Sequence, residues 1–272
     1  MVEFFKNLSL EFEFLFAPMV SLPSSLGAAK ISYPLFFTAG VAVGMLWLIA
    51  TETQPAPSPR QNHKHNAVIA GVVMLGVGLI TARIIFILLH SSYYYAHPLE
   101  ILAIWQGGLS GIGGFAGALA GLGIYAFIMD ESLAAHADAL AIPGVIVASS
   151  CWLGCWMDGC AYGIPIEGQS LLLIGTDMFD SGIPRWPTQA SGAIFSLFSI
   201  GILFILKDRI PQGMLGMISI SLIALGIFGI GFFRGDPSLV IAGLRLDMLA
   251  ALALTLLGIG AILIGVRKRE MQ

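Results

Sequence analysis

Seven long apolar stretches follow one another along the chain, with shorter polar segments between them. They are Ile31–Ala50, Ala67–His90, Gly113–Met129, Ala139–Met157, Ala190–Leu206, Gly213–Phe233 and Met248–Val266. Each is long enough for a helix to cross the hydrocarbon core, which takes about 20 residues. None alternates apolar and polar residues as the strands of an outer-membrane barrel do. The pattern predicts an all-α polytopic membrane protein with seven transmembrane helices.

The composition agrees with a membrane protein and excludes several other classes. Of the 272 residues, 57% are hydrophobic and only 11% are charged, whereas a soluble domain carries about 25% charged residues. The mean hydropathy is +0.89. These values exclude a soluble globular protein and a disordered tail, and no nucleic-acid partner is expected because the chain lacks a basic face.

The basic residues of the connecting segments predict the orientation of the helices, because cytoplasmic loops are richer in Lys and Arg. One side collects seven of them, Arg60, Lys64, Lys207, Arg209, Arg267, Lys268 and Arg269, and the other side five, Lys6, Lys30, Arg185, Arg234 and Arg245. We therefore expect the N-terminus outside and the C-terminus in the cytoplasm. Residues 267–272 then form a basic cytoplasmic tail.

The segments outside the spans differ in character. Residues 1–30 carry three glutamates where a secretory signal has positive charge, and their aromatic residues predict a segment lying on the outer leaflet. An ordinary unstructured terminus is the alternative. Thr51–Asn66 is polar and proline-rich and predicts a cytoplasmic connector. Residues 158–189 form a long outer loop of the membrane domain 31–266, too apolar for disorder and long enough to be functional.

Charged residues at membrane depth are costly and therefore mark candidate sites. Arg83 lies inside the second span with apolar residues on both sides, and Arg234 ends the sixth span. An arginine near the outer surface suits an anionic lipid headgroup. The alternatives are structural: Arg83 bound to backbone carbonyls, locking two helices, and Arg234 paired with Asp236.

Two further stretches carry candidate chemistry. Residues 105–117 (WQGGLSGIGGFAG) are rich in glycine, which allows a backbone site for phosphate or close helix packing; composition favours packing. The cysteines at 151, 155 and 160 have spacings of four and five, which do not match a zinc site, so no metal is expected and packing is the simpler role. Asp158 lies among them at the membrane edge, a candidate functional carboxylate.

Taken together, these blocks resemble the prolipoprotein diacylglyceryl transferase family. Five segments occur in the family's order: residues 81–83 (TAR), 98–117 (PLEILAIWQGGLSGIGGFAG), 154–163 (GCWMDGCAYG), 187–189 (PTQ) and 231–234 (GFFR). The family counterparts are the Gly-Gly-Arg of the second helix, a W-x-GG-[ML]-SFHGGLIG signature, GRIGNFINGELYG, HPSQLYE and RF-x-x-EFFR. The expected seven spans and outside N-terminus agree with this resemblance.

The resemblance implies a bacterial inner-membrane enzyme that moves the diacylglyceryl group of phosphatidylglycerol onto a lipobox cysteine thiol and releases glycerol phosphate. Its partners would be phosphatidylglycerol or another anionic phospholipid, the signal peptide of a prolipoprotein and the membrane, and no cofactor is implied. The resemblance assigns headgroup binding to Arg83, Ser110, Gly113, Gly114, Gln189 and Arg234. It assigns supporting roles to Trp105, Glu100, Tyr162 and Gly163.

Several family residues are replaced in this chain. The histidine of SFHGG falls on Ile112, the arginine and asparagine of GRIGN on Trp152 and Cys155, the first arginine and the glutamate of RF-x-x-EFFR on Ile227 and Gly231, and the histidine of HPSQ on Trp186. A thiol is mostly protonated at neutral pH and needs a base. Asp158 is the candidate base, with Glu100 as the alternative, and Arg83 and Arg234 complete the candidate catalytic group.

Three functions remain open from the sequence. The first is a divergent transferase of this family. The second is a non-catalytic protein of the same fold that binds an anionic lipid or a lipoprotein. The third is a small-solute transporter, which the chain supports less because it shows no internal repeat of the kind that transporters carry.

Overall fold

The computed structural model describes residues 32–52, 61–103, 107–166, 177, 179 and 183–270. Its helices are α1 (Ser32–Glu52), α2 (Gln61–Leu89), α3 (Ser91–Ala96), a 3₁₀ helix (Pro98–Leu102), α4 (Gly111–Ile128), α5 (Leu133–Ala139), α6 (Ala141–Asp158), α7 (Thr188–Leu206), α8 (Met214–Gly231) and α9 (Leu246–Glu270). A small hairpin, β1 (Val240–Ile241) and β2 (Leu244–Arg245), precedes α9. Seven of these helices, α1, α2, α4, α6, α7, α8 and α9, are long and apolar enough to span a membrane. The predicted all-α fold with seven spans is confirmed.

The helix bounds differ from the predicted ones by a few residues on every span, and two of these differences change the segments between helices. The expected connector Thr51–Asn66 is shorter, because α1 continues to Glu52 and α2 already begins at Gln61. Polar residues such as Gln and Lys are good helix formers, so a helix can continue beyond its apolar run. The predicted fourth span loses its first two residues, because Ala139 ends α5 and Leu140 separates it from α6. The predicted interfacial segment 1–30 lies outside the described residues.

Helices α2 and α4 pack closely through glycines spaced four residues apart. A Cβ atom at Gly117 would lie 2.5 Å from the Cβ of Thr81, and one at Gly121 would lie 3.0 Å from the Cβ of Val77. Gly113 meets the same helix one turn earlier. Small residues that let two backbones approach are the common device of membrane helices. Close packing, the interpretation that composition favoured, is therefore confirmed for this stretch.

The spans also bury two apolar clusters. Leu48, Leu122, Tyr125 and Leu140 belong to the first, and Ile142, Val145, Leu203 and Leu215 belong to the second. Many other large apolar side chains on the spans, such as Leu46, Leu79 and Phe198, are exposed on the bundle surface. This distribution suits helices whose outer faces contact lipid instead of water.

One end of the bundle, which we call the Asp158 end, collects the starts of α1, α4, α7 and α9 and the ends of α2, α6 and α8. The other end is organised around α5. There the Asp138 carboxylate accepts hydrogen bonds from the N–H groups of Gly213 and Gly216 and caps the start of α8. His136 Nε2 lies 2.9 Å from a Glu131 carboxylate oxygen. The candidate residues that the structure describes all belong to the Asp158 end.

Candidate functional site

Arg83 lies near the end of α2 with only 7% of its surface exposed. Its guanidinium donates to four backbone carbonyls: Nε to Ile101 at 3.0 Å, Nη1 to Gly107 at 2.8 Å and Gly108 at 3.1 Å, and Nη2 to Glu100. An arginine has five N–H donors. One donor therefore remains for a ligand, and the positive charge stays in place without a matching carboxylate in these contacts.

The backbone around this arginine requires glycine. Gly107 and Gly108 both have positive φ angles, 91° and 76°, which L residues rarely adopt. A Cβ atom at Gly108 would lie 2.7 Å from Arg83 Nη1 and 2.7 Å from the Phe86 ring. The guanidinium carbon of Arg83 lies 5.2 Å from the centroid of the Tyr94 ring. The glycine pair thus brings two carbonyls onto the arginine.

The start of α4 follows directly and is capped by its own serine. Ser110 Oγ accepts from the Gly113 N–H at 3.3 Å, and the Ser110 carbonyl accepts from Gly114 at 2.8 Å. Two of the predicted headgroup donors are therefore occupied within the helix. Among the described residues, the N–H groups of Gly111 and Ile112 have no acceptor, so they are the free donors at this positive helix end.

Arg234 belongs to a network of two arginines and two aspartates. It donates to Asp236 at 2.8 Å and to Asp247 at 2.8 Å. Arg245 also contacts both, Asp247 at 3.2 Å and Asp236 at 3.3 Å. Burial disfavours the charged form of Arg234, but the hydrogen bond to Asp236 and the charges of Asp236 and Asp247 outweigh burial, and the pKa of its guanidinium is raised. The expected pairing with Asp236 is present, and the formal charge of the network is zero.

The first part of the predicted outer loop pairs with this network. Gly163 forms an isolated antiparallel bridge with Arg234, and its carbonyl accepts from Arg185 at 3.2 Å. The Trp186 backbone occupies the space that a side chain at position 163 would need. Burial, followed by the charge of Asp236, raises the pKa of the neighbouring Tyr162. Tyr162 and Gly163 thus hold the loop against the end of α8.

Asp158 is the last residue of α6. Its Oδ2 accepts a hydrogen bond from the Tyr33 N–H in the first turn of α1 at 3.0 Å. Its Oδ1 is buried and has no hydrogen-bond partner within the part of the chain that the structure describes. A buried carboxylate oxygen without a donor is costly. The Oδ2 atom of Asp158 therefore joins α6 to α1, whereas its Oδ1 atom is available to accept a hydrogen bond or a proton from a ligand.

A disulfide bond between Cys155 and Cys160 encloses Asp158. The sequence interpretation of Cys155 as a packing residue is wrong, because the αL turn at Gly159 (φ 76°) brings Cys160 back to the last turn of the helix. The Gln189 amide donates to the Cys160 carbonyl at 3.0 Å. The useful sequence signal was the glycine between the two cysteines, which permits this reversal.

Two predicted supporting residues remain, Glu100 and Trp105, and Glu100 lies beside Arg83. The Glu100 carboxylate accepts from the Tyr93 hydroxyl at 2.7 Å, and this hydrogen bond raises the pKa of Tyr93. Trp105 lies outside the described residues. In the described part of the chain, no three His, Cys, Asp or Glu residues form a metal-binding group.

The structure divides the candidates into three groups at the Asp158 end. Arg83, Glu100 and the α4 start form one, Arg234 with Tyr162 and Gly163 the second, and Asp158 with Gln189 the third. No hydrogen bond or ion pair among the described residues joins Arg83 to the Arg234 network. Sequence reasoning missed Asp247, Arg245 and the disulfide.

The prolipoprotein diacylglyceryl transferase family matches residues 24–264 of this chain. The chain belongs to the prolipoprotein diacylglyceryl transferase family. Three similar relatives carry the name phosphatidylglycerol–prolipoprotein diacylglyceryl transferase. The relative from Lactococcus lactis subsp. cremoris is 30% identical over 245 residues, 87% of each chain. That from Dehalococcoides mccartyi is 28% identical over 254 residues, 90% of this chain and 94% of its own, and that from Streptococcus agalactiae is 28% identical over 234 residues, 83% and 89%.

Within this family fold, three of the replaced positions are occupied by apolar packing. Ile112 is half-buried in the first turn of α4. The Trp152 ring lies against the backbone of Gly192, where a Cβ atom would overlap it. The Trp186 ring lies 4.9 Å from that of Phe233. These side chains supply contacts and no proton acceptor.

Proposed function

We propose that this chain is a divergent transferase that moves the diacylglyceryl group of phosphatidylglycerol, or of another anionic phospholipid, onto the lipobox cysteine of a prolipoprotein signal peptide. The observation that carries the proposal is the match over residues 24–264 together with relatives that bear this activity in their names. The Asp158 end supplies the chemistry.

The transfer needs a base, and Asp158 is our candidate. The lipobox thiol loses its proton to the buried Oδ1 of Asp158, and the resulting thiolate attacks the diacylglycerol carbon that bears the phosphate. A carbon–sulfur bond forms, the carbon–oxygen bond to phosphate breaks, and glycerol phosphate leaves with the electron pair. The Oδ1 atom of Asp158 has no hydrogen-bond donor among the described residues and is therefore free to accept the proton.

The leaving phosphate needs donors and positive charge. Arg83 contributes a charge that is not neutralised by a carboxylate in its contacts, and one remaining N–H. The free N–H groups of Gly111 and Ile112 add two donors beside Ser110. Arg234 contributes a weaker positive electrostatic field than an isolated arginine, because Asp236 and Asp247 offset its charge. Ser110, Gly113, Gly114 and Gln189 act by holding the backbone in position.

We further propose that the Asp158 end faces the outside of the bacterial cytoplasmic membrane. The Cys155–Cys160 disulfide supports this orientation, because disulfides persist in oxidising compartments. At the opposite end, Lys207 and Arg209 follow α7, as expected for a cytoplasmic side. Three arginines of the Asp158 end, Arg185, Arg234 and Arg245, are balanced by aspartates.

A non-catalytic lipid- or lipoprotein-binding protein of the same fold is the second candidate. The pairing of Arg234 with two aspartates favours it, because the pairing weakens the positive field on the phosphate. Ile112 also favours it, because its apolar side chain accepts no proton. Both candidates bind an anionic lipid at the Asp158 end. They differ in whether a thioether forms.

Rescue of a bacterial strain depleted of its own transferase separates the two candidates. We expect the wild-type chain to restore lipoprotein lipidation, Asp158→Asn to abolish the rescue and Ile112→His to increase it, because histidine titrates near working pH. Asp208→Asn, an exposed change at the opposite end, is the matched control. A stably inserted wild-type chain and an Ile112→His variant that both fail would exclude the transferase and leave the binding protein.

A further inference from the structure

An apolar groove lies beside Arg83 at the end of α2. Its volume is about 370 Å³, within the range of small-ligand sites. We call it the Ser91 groove; it is lined by Ile87, Leu88, Ser91, Tyr94, Tyr95, Pro98 and Ile101. The walls come from α2, α3 and the 3₁₀ helix, three consecutive elements that turn back on one another. None of the described residues that line the groove carries a charged side chain.

The groove continues a lipid-facing stripe on α2. Ile80, Ile84 and Leu88 are 62%, 50% and 63% exposed, and their spacing of four places them on one helix face. At 1.5 Å per residue the stripe is about 12 Å long. Leu88 is both the last residue of the stripe and a wall of the groove. An acyl chain that lies along the stripe can therefore extend into the groove.

The inner wall of the groove is tied to the candidate site. The Tyr94 ring, which lines the groove, lies 5.2 Å from the Arg83 guanidinium carbon. The carbonyl of Ile101, a second lining residue, accepts from Arg83 Nε at 3.0 Å. The outer rim carries Tyr95, which is 92% exposed, an aromatic residue of the kind found at membrane interfaces. A chain in the groove would thus have its polar end near Arg83.

We propose that the Ser91 groove binds one acyl chain of the donor phospholipid, with the rest of that chain lying along the α2 stripe. An open apolar groove at a lipid-facing surface is filled, because an empty one loses dispersion contacts on one side. The occupant is hydrocarbon, since the groove opens to the stripe that contacts lipid. The identification of this lipid as the transferase donor rests on the proposed function. The binding of an acyl chain in the groove does not depend on that function.

Photo-crosslinking tests this site. The full chain is reconstituted in phosphatidylcholine vesicles with a small fraction of phosphatidylglycerol that bears a diazirine in its sn-2 chain. The Ser91→Phe variant fills the groove from an exposed position. Ser92→Phe is the matched control, because Ser92 is the next residue of α3, is also exposed, and does not line the groove. Crosslinked peptides are identified by mass spectrometry.

We expect the label on peptides that contain Leu88 or Ile101, with a severalfold loss in Ser91→Phe and no loss in Ser92→Phe. Unlabelled phosphatidylglycerol should compete better than unlabelled phosphatidylcholine. Label found elsewhere, or an equal loss in both variants, overturns the proposal. Equal labelling by a phosphatidylcholine probe shows exchangeable annular lipid only and also overturns it.

The rescue experiment keeps this proposal separate from the proposed function. If the groove is labelled as expected but no variant restores lipidation, the acyl-chain site stands and the transferase function fails. If lipidation is restored but the label avoids the groove, only the acyl-chain site fails.

Discussion

The Asp158 carboxylate accepts a hydrogen bond from the Tyr33 backbone N–H at 3.0 Å, which joins the end of α6 to the first turn of α1. The first N–H groups of a helix lack partners within the helix, so Asp158 satisfies one of them. The same contact directs one carboxylate oxygen to α1 and leaves the other, Oδ1, buried without a partner among the described residues. Stability and chemistry therefore depend on different atoms of one side chain.

Substitutions at Asp158 should separate these two roles. Asp158→Asn keeps an oxygen for the Tyr33 N–H but loses the basic carboxylate, so we expect a folded protein without transfer to a lipobox peptide. Asp158→Ala also loses the hydrogen bond to α1 and should cost about 1 kcal/mol of unfolding free energy. Transfer assays and thermal unfolding in detergent measure the two effects. An Asp158→Asn protein with full transfer activity shows that another group is the base.

Substitutions at Arg83 should affect both stability and lipid binding. Lysine keeps the charge but has three donors on one atom instead of a planar fork, so it leaves at least one of the four carbonyls unpaired. We expect Arg83→Lys to lose about 2 kcal/mol of stability and to weaken phosphatidylglycerol binding, and Arg83→Ala to abolish that binding. Arg209→Lys, an exposed position at the opposite end, is the control. Normal binding by a destabilised Arg83→Ala protein would assign Arg83 a purely structural role.

The arginine–aspartate network should behave as a unit. Asp247→Ala leaves Arg234 and Arg245 with one aspartate between them, and an unbalanced, mostly buried charge costs about 3 kcal/mol. The double variant Arg245→Ala/Asp247→Ala restores the balance. We expect it to lose about 1 kcal/mol less than the sum of its single variants, measured by chemical unfolding. Simple additivity would show that the network has no energetic coupling.

The disulfide gives a direct chemical prediction. Alkylation of the unfolded, unreduced protein should add one label, at Cys151, and alkylation after reduction should add three labels, counted by intact mass. The paired variant Cys155→Ser/Cys160→Ser should lose about 2 kcal/mol, the value expected for so short a loop. Three labels without reduction would contradict the disulfide.

The proposed orientation is tested by thiol labelling of intact cells. A membrane-impermeant reagent should modify Gly168→Cys and Ser181→Cys, which follow α6 in the sequence. It should miss Ser58→Cys, in the sequence between α1 and α2, and Ser132→Cys, which caps the start of α5. The wild-type chain is the background, since Cys155 and Cys160 are paired and Cys151 is half-buried. Labelling of Ser58→Cys with protection of Gly168→Cys would invert the orientation and place the candidate site in the cytoplasm.

The sequence alone determined the class of fold and the position of each span. A helix in hydrocarbon must form its backbone hydrogen bonds internally and present apolar side chains over its whole length. Each span is therefore recognisable from about 20 consecutive residues. The glycines of α4 likewise predict close packing against another helix, because only small residues let two helix backbones approach. Five motif blocks were enough to identify the family. None of these inferences requires contacts between residues that are far apart in the chain.

The tertiary structure alone decided what the charged residues do. Arg83 was visible as a lone charge, but its four carbonyl partners lie 17 to 25 residues away, and no local pattern specifies them. Asp247 joins Arg234 only because the β1–β2 hairpin brings the start of α9 back to the end of α8. Cys160 meets Cys155 through one left-handed turn at Gly159. An ion pair or a buried oxygen depends on distances between separate elements, and these distances are fixed only when the helices pack.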